Sequence, residues 1–275
     1  MRTTTYTKAC TMVVVLMLTA CGGGGGSSNT VGAGVTSATA LVDWTWVSGS
    51  DTGNPAGSFL SAPFYPGAME GMMSWTDGSG QLWMFGGGGC DTNGCGGGSN
   101  YVDFNDLWRF DGSNWNLIKG SGASNPPGIY GTLGTAALAN TPGSRQYAAT
   151  WTVGSTLWMF GGRGRDSAGT FGDLSDLWSF DGTNWTWVAG GDTVGTVENY
   201  TNTSAHPGDR RGAVSWIDVN GDLWLFGGKR DSSLVSTGYL SDLWKYNIAS
   251  DTWTFVAGTN TLDHSGNYGT IGNPG

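Results

Sequence analysis

One pattern governs what this chain can fold into: a block of about seventy residues that recurs. LWMFGG at 82–87 returns unchanged at 157–162 and as LWLFGG at 223–228. NDLWRFD at 105–111 returns as SDLWSFD at 175–181 and SDLWKYN at 241–247. WTWVSG at 44–49 returns as WNLIKG at 115–120, WTWVAG at 185–190 and WTFVAG at 253–258. Its first Trp falls at 44, 115, 185 and 253, in steps of 71, 70 and 68. Such a period marks a repeat architecture, in which each unit buries its apolar faces against its neighbours.

Each period contains four strand-like runs, a to d, which in the second unit span 146–153, 156–160, 176–180 and 184–188. Run b (Leu157, Trp158, Met159, Phe160) is apolar on both alternating faces, as a strand between two layers must be. Asn220-Gly221, Asp111-Gly112 and Asp181-Gly182 are hairpin signals between neighbouring runs. The 15 Trp all fall into five repeat columns: 44/115/185/253, 46/187, 75/151/216, 83/158/224 and 108/178/244. No Trp is left over for an individual role, so all are expected in the core, where each buries about 150–250 Å². Glycine, 50 of 275 residues, follows no G-X-Y period, and 34 aromatic residues exclude disorder.

The unit PGxR…W…LWxFGG…DLWxF…WxWVxG resembles the long kelch repeats of bacterial envelope proteins of the galactose-oxidase-like class. The resemblance covers 44–275 and implies an all-β, kelch-type β-propeller. The first unit departs from it, with Met69 where positions 145 and 210 carry Arg. Three four-stranded blades are present, too few for a propeller of typically four to eight. The propeller is therefore expected to be incomplete and the sequence truncated. The other reading has two chains pairing their three blades into one six-bladed ring.

The amino terminus reads as an address. Arg2 and Lys8 precede the apolar run 12–18, too short to span a bilayer, and residues 1–20 are expected to be a signal peptide. LTAC at 18–21 resembles the bacterial lipobox, which implies lipid on Cys21. Residues 21–40, Gly-rich, would form a tether, and 41–275 the blades. The expected location is the bacterial cell envelope, anchored by lipid to the outer membrane or cell surface. Cys90 and Cys95 then remain as a close pair in an oxidising compartment, read as a disulfide, with a metal site as the alternative. Loss of Arg2 and Lys8 would take the formal charge from −9 to −11, which repels phosphate backbones and argues against nucleic acid.

Alternating strands place the d–a and b–c connections on one rim. Both are long, and long loops in compact repeats tend to carry function. The b–c segments read GGCD (88–91), RGRD (163–166) and KRD (229–231). Arg163, Arg165, Lys229 and Arg230 could bind a carboxylate or acidic sugar, or pair locally with Asp166 or Asp231. Arg145 and Arg210 could point to the central channel or link neighbouring blades. Phe64, Tyr65, Tyr130, Tyr200 and Tyr268 could stack on sugar rings or cover the blade tops. The only histidines, His206 and His264, have no Tyr neighbour, and no G-x-S-x-G, H-E-x-x-H or Walker sequence occurs. Neither copper nor calcium is supported by this segment, and no cofactor is expected. The expected function is a non-catalytic recognition module for glycan or protein. The competing class, implied by the resemblance, is a carbohydrate-active enzyme (copper oxidase or sugar-acid isomerase) whose catalytic residues lie in further blades.

Overall fold

A computed structural model describes residues 46–47, 56–59, 64–90, 101–201, 204–231 and 236–266. The chain divides into Met1–Val47, of which Trp46 and Val47 are described and exposed, and Ser48–Gly275, which holds every strand below. Cys21, Asp91, Cys95 and Tyr268 lie outside the described residues.

Three blades follow one another. Blade 1 contains β1 (Met69–Glu70), β2 (Met73–Thr76), β3 (Leu82–Phe85), β4 (Gly88–Cys90), β5 (Tyr101–Asp103), β6 (Leu107–Phe110) and β7 (Trp115–Lys119). Blade 2 repeats it as β8 (Arg145–Gln146), β9 (Ala149–Val153), β10 (Thr156–Phe160), β11 (Arg163–Arg165), β12 (Phe171–Asp173), β13 (Leu177–Phe180) and β14 (Trp185–Ala189). Blade 3 has β15 (Val214–Ile217), β16 (Leu223–Arg230), β17 (Gly238–Asn247) and β18 (Thr252–Ala257). All pairings are antiparallel, with four-stranded sheets ordered β2-β3-β6-β7, β9-β10-β13-β14 and β15-β16-β17-β18. Blades 1 and 2 carry in addition the three-stranded extensions β1-β4-β5 and β8-β11-β12.

The FGG motif explains the extensions. Gly161 and Gly162 take φ of 66° and 95°, left-handed conformations that glycine adopts without steric cost. Gly161 N–H donates to Asp176 of its own blade, whereas Gly162 N–H donates to Arg210 of the next. The strand is thereby bulged and continues with a new register. In blade 3 the same bulge lies inside the continuous β16, where register shifts between Phe226 and Gly228. The sequence expectation of long b–c loops is corrected here. Arg163–Arg165 form β11, and Lys229 and Arg230 end β16, because the glycine bulge restores pairing beyond the motif.

The core lies between blades. Met73, Trp75, Trp83 and Phe85 pack on Leu157, Met159, Trp178, Phe180 and Trp185 of blade 2. One repeat later, Ala149, Trp151, Trp158 and Phe160 pack on Leu223, Leu225, Trp244, Tyr246 and Trp253 of blade 3. Indoles stitch both seams: Trp75 Nε1 donates to the Trp158 carbonyl (3.0 Å), and Trp151 Nε1 to that of Trp224 (3.1 Å). Trp83, Trp158, Trp108, Trp178 and Trp244 are buried as expected, and Trp224 is half-buried. Trp46 and Trp216 depart from the expectation that every Trp is core: they are 62% and 41% exposed, and among the described residues no further blade covers Trp216.

Candidate functional site

Six cations were candidates, and the fold divides them. Arg145 and Arg210 are wholly buried. Arg145 forks onto Asp176 (2.6 and 2.7 Å) and also donates to the carbonyls of Gly143 and Gly161. Arg210 repeats the fork on Asp242 (2.7 and 3.0 Å) and donates to the carbonyls of Gly227 and Pro207. The same carboxylates accept from Tyr130 OH (2.6 Å) and Trp178 Nε1 (2.7 Å), and from Tyr200 OH (3.0 Å) and Trp244 Nε1 (2.7 Å). Each node thus ties strands a, b and c of its own blade to the incoming loop, and neither guanidinium faces a channel. Burial works against the charge on Asp242, yet the hydrogen bond and charge of Arg210 hold its carboxyl below the ordinary value. Tyr130 and Tyr200 stand over Trp178 and Trp244 with centroids 4.9 and 5.3 Å apart, so they cover the blade tops.

Blade 1 lacks this node. Met69 stands in place of the arginine, and Phe59 takes the ring position over Trp108 at 5.4 Å. Asp106 still accepts from Gly122 N–H, but its Oδ2 and the Trp108 indole have no partner among the described residues. Burial pushes the Asp106 carboxyl up to about 6, partly offset by the backbone donors of Gly122 and Ser121.

Arg230 is also buried, paired with Glu198 and donating to the Ser236 carbonyl. Arg165 donates to the Gly169 carbonyl, and Arg163 and Arg165 lie over Phe171 at 5.0 and 5.2 Å. Arg163 and Lys229 belong to a surface cluster centred on Asp231. Asp231 Oδ2 lies 3.0 Å from Arg163, 3.1 Å from Arg211 and 3.6 Å from Lys229. Arg211 also reaches the buried Asp173 at 2.5 Å. The hydrogen bond from Arg211, with the charges of Arg163 and Lys229, holds the Asp231 carboxyl below its usual value.

Beside this cluster is a cleft of ≈ 460 Å³ lined by Tyr147, Arg211, Val214, Phe226, Lys229 and Tyr239, among others. Tyr147 has φ 57°, where the equivalent residues of blades 1 and 3 are Gly71 (φ 65°) and Gly212 (φ 64°). Its N–H donates to the Gly71 carbonyl and its own carbonyl accepts from Gly212, both at 2.8 Å. A large side chain held in this conformation is strained, and its ring is 45% exposed. Sequence reasoning missed Arg211, Tyr147, Tyr239 and Asp173. The available signal was departure from the repeat: Gln146-Tyr147 against Arg211-Gly212 in otherwise matching frames.

A second cleft, ≈ 400 Å³, lies between blades 2 and 3 and includes His206, Asp251 and Trp253. Burial lowers the His206 pKa. Cys90 is buried, and its expected partner Cys95 lies outside the described residues. Among the described residues no group of three or more His, Cys, Asp or Glu could hold a metal ion.

Residues 219–260, which span β16 to β18, match the family described as Kelch motif. No curated protein matches the chain. A solved structure titled "Structure of YjhT" is 13% identical, over 72% of this chain and 52% of its own, at a TM-score of 0.44. The chain thus spans about half the length of that structure. The repeated antiparallel sheets packed face to face, together with the kelch motif in the third of them, make the fold of this chain a kelch-type β-propeller.

Proposed function

We propose that this protein is a non-catalytic recognition module of the bacterial envelope, tethered through Cys21, that binds an acidic glycan in the Tyr147 cleft. The observation that carries the reading is Tyr147 itself. Strain at a single exposed aromatic residue, where two sister blades use glycine, is maintained most readily if the ring has work to do. Tyr147 and Tyr239 offer faces for sugar C–H groups, and the charged cluster offers a dense set of donors beside them. Arg163, Arg211 and Lys229 outnumber Asp173 and Asp231 by one charge, against a chain of net −9. That local excess favours a carboxylate-bearing sugar over a neutral one.

Tyr147→Gly tests it. Glycine accepts the left-handed backbone, so thermal stability should hold or rise, by about 1 kcal/mol. Affinity for an oligouronate, measured by calorimetry, should fall at least about tenfold and should weaken with salt in the native protein. Unchanged affinity in Tyr147→Gly would refute the site. For the tether, Cys21→Ser should abolish metabolic fatty-acid labelling and release the protein from membranes; labelling that persists would refute lipidation at Cys21.

A further inference from the structure

We propose that the cleft between blades 2 and 3 binds an extended, uncharged peptide bearing an asparagine, like the segment this chain itself lays along the outer edge of blade 2. In blade 2 the loop between Tyr130 and Thr141 has ten residues, 131–140, and lies against β14. Gly134 N–H donates to the Trp187 carbonyl at 2.8 Å, and Ala137 N–H to the Trp185 carbonyl at 3.5 Å. The Asn140 side-chain amide, itself buried, donates to the same Trp185 carbonyl at 3.1 Å and to that of Thr135 at 2.9 Å. From the end of β7, Lys119 donates to the Leu138 carbonyl at 3.1 Å. A segment of the chain thus lines the edge of β14 as an added strand does, and Trp185 is wholly buried beneath it.

Blade 3 keeps this frame and omits its filling. Tyr200 stands where Tyr130 does, and the bridge Asn199–His206 repeats Ile129–Thr141, yet only five residues, 201–205, separate Tyr200 from His206. Ala205 takes the place of Asn140, and Ala189 that of Lys119. Both changes remove a side chain that bonds to the cover or the edge in blade 2. What remains is the cleft of ≈ 400 Å³ bounded by Ala189, Gly190, Ser204, Ala205, His206 and Trp253, every wall of it from blades 2 and 3 or the loop that joins them. Trp253 faces Tyr246 across its sheet as Trp185 faces Phe180, so its carbonyl points outward as that of Trp185 does. Among the described residues no donor outside the sheet reaches the carbonyls of Trp253 and Phe255. Such an unpaired edge accepts backbone N–H groups from another segment. Burial lowers the His206 pKa and keeps the ring neutral at pH 7, which leaves Asp251 as the one charge on the described lining. Residues 131–140 carry no charge, and a segment of that kind meets no repulsion there, whereas an acidic one does.

The probe is a synthetic peptide with the sequence of residues 131–140, GTLGTAALAN, acetylated and amidated so that its ends are uncharged. Titrated into the intact protein, it should bind with a dissociation constant at or below about 100 µM. The same peptide ending in Ala should bind at least about fivefold more weakly, the effect of one lost hydrogen-bonding group. Ala205→Asn supplies the amide from the protein's own loop, and Ala189→Lys refills the cleft as Lys119 does in blade 1. Each should weaken the peptide at least about tenfold with unchanged circular dichroism. No binding at about 1 mM peptide would overturn the proposal, as would equal affinity for the two peptides. Undiminished affinity in either variant would also overturn it, because the peptide would then be exchanging with 131–140 on β14. Binding of N-acetylglucosamine that both variants abolish, without binding of the peptide, would give the cleft to a sugar amide and overturn it as well.

Discussion

Two nodes built alike and one stripped of its partners let single side chains be weighed within one molecule. Asp176 and Asp242 each hold an arginine fork, a tyrosine and an indole; Asp106 keeps only backbone donors. Removing one partner of a buried pair leaves an uncompensated charge, so Arg145→Met should destabilise by about 3–5 kcal/mol in urea. A loss under about 1 kcal/mol would mean that the buried fork contributes little net stability once its desolvation cost is counted. Asp106 at about 6 and Asp209 at about 7, both raised by burial, stand above the ordinary carboxyl value of 3.8. Carboxyls with raised folded-state values add stability that is complete below about 4 and is lost as pH rises through 6 and 7. Asp77, lowered to about 2 where the hydrogen bonds of Ser79, Trp83 and Gln81 overcome burial, acts oppositely and loses its contribution only in strong acid. The urea midpoint should therefore fall between pH 5 and pH 8. Asp106→Asn should flatten part of that slope, and an unaltered slope would show that Asp106 is not the titrating group.

The elements most legible in sequence were those whose period repeats. Run b was read at 156–160 and is β10 at Thr156–Phe160; run d was read at 184–188 and is β14 at Trp185–Ala189. Run a, read as continuous over 146–153, is interrupted between β8 and β9, where Tyr147 turns left-handed. No periodicity signals that turn, because Tyr is not a residue that announces it. The extension β11 was missed because RGRD is polar like a loop, and its pairing comes from the glycine bulge rather than from alternation. For the site, residue type gave charge but not direction. Arg145 and Arg163 look alike in sequence, yet one is bound inside its blade and the other lies at the surface. The bulge itself is testable. A Cβ on Gly161 would stand 2.6 Å from the Arg210 carbonyl oxygen and 2.9 Å from that of Leu174, both backbone atoms. Gly161→Ala should therefore cost at least about 2 kcal/mol, more than left-handed strain alone. A cost below about 1 kcal/mol would show that the seam relaxes by moving blades apart.

A molecule assembled from like blades has its stability distributed by neighbours. Contacts in such an array are chiefly between adjacent units, so each unit is held by its own sheet and by the seams it shares. Blade 2 shares two seams, through Leu157, Met159 and Trp178 on one side and Trp151, Trp158 and Phe160 on the other. Blade 3 shares one, and β15, its outermost tryptophan-bearing strand, has three of its four residues exposed. Blade 1 shares one, and its leading face is partly roofed by Phe59 and Phe104 against Trp108 and Met84. Local opening should follow this order. Amide hydrogen exchange in dilute protein should be slowest in β10 and β13, and at least about tenfold faster in β15, a difference of about 1.4 kcal/mol in opening free energy. Equal protection in all three blades at low concentration would mean that the units open as one, and the neighbour account of this fold would fail.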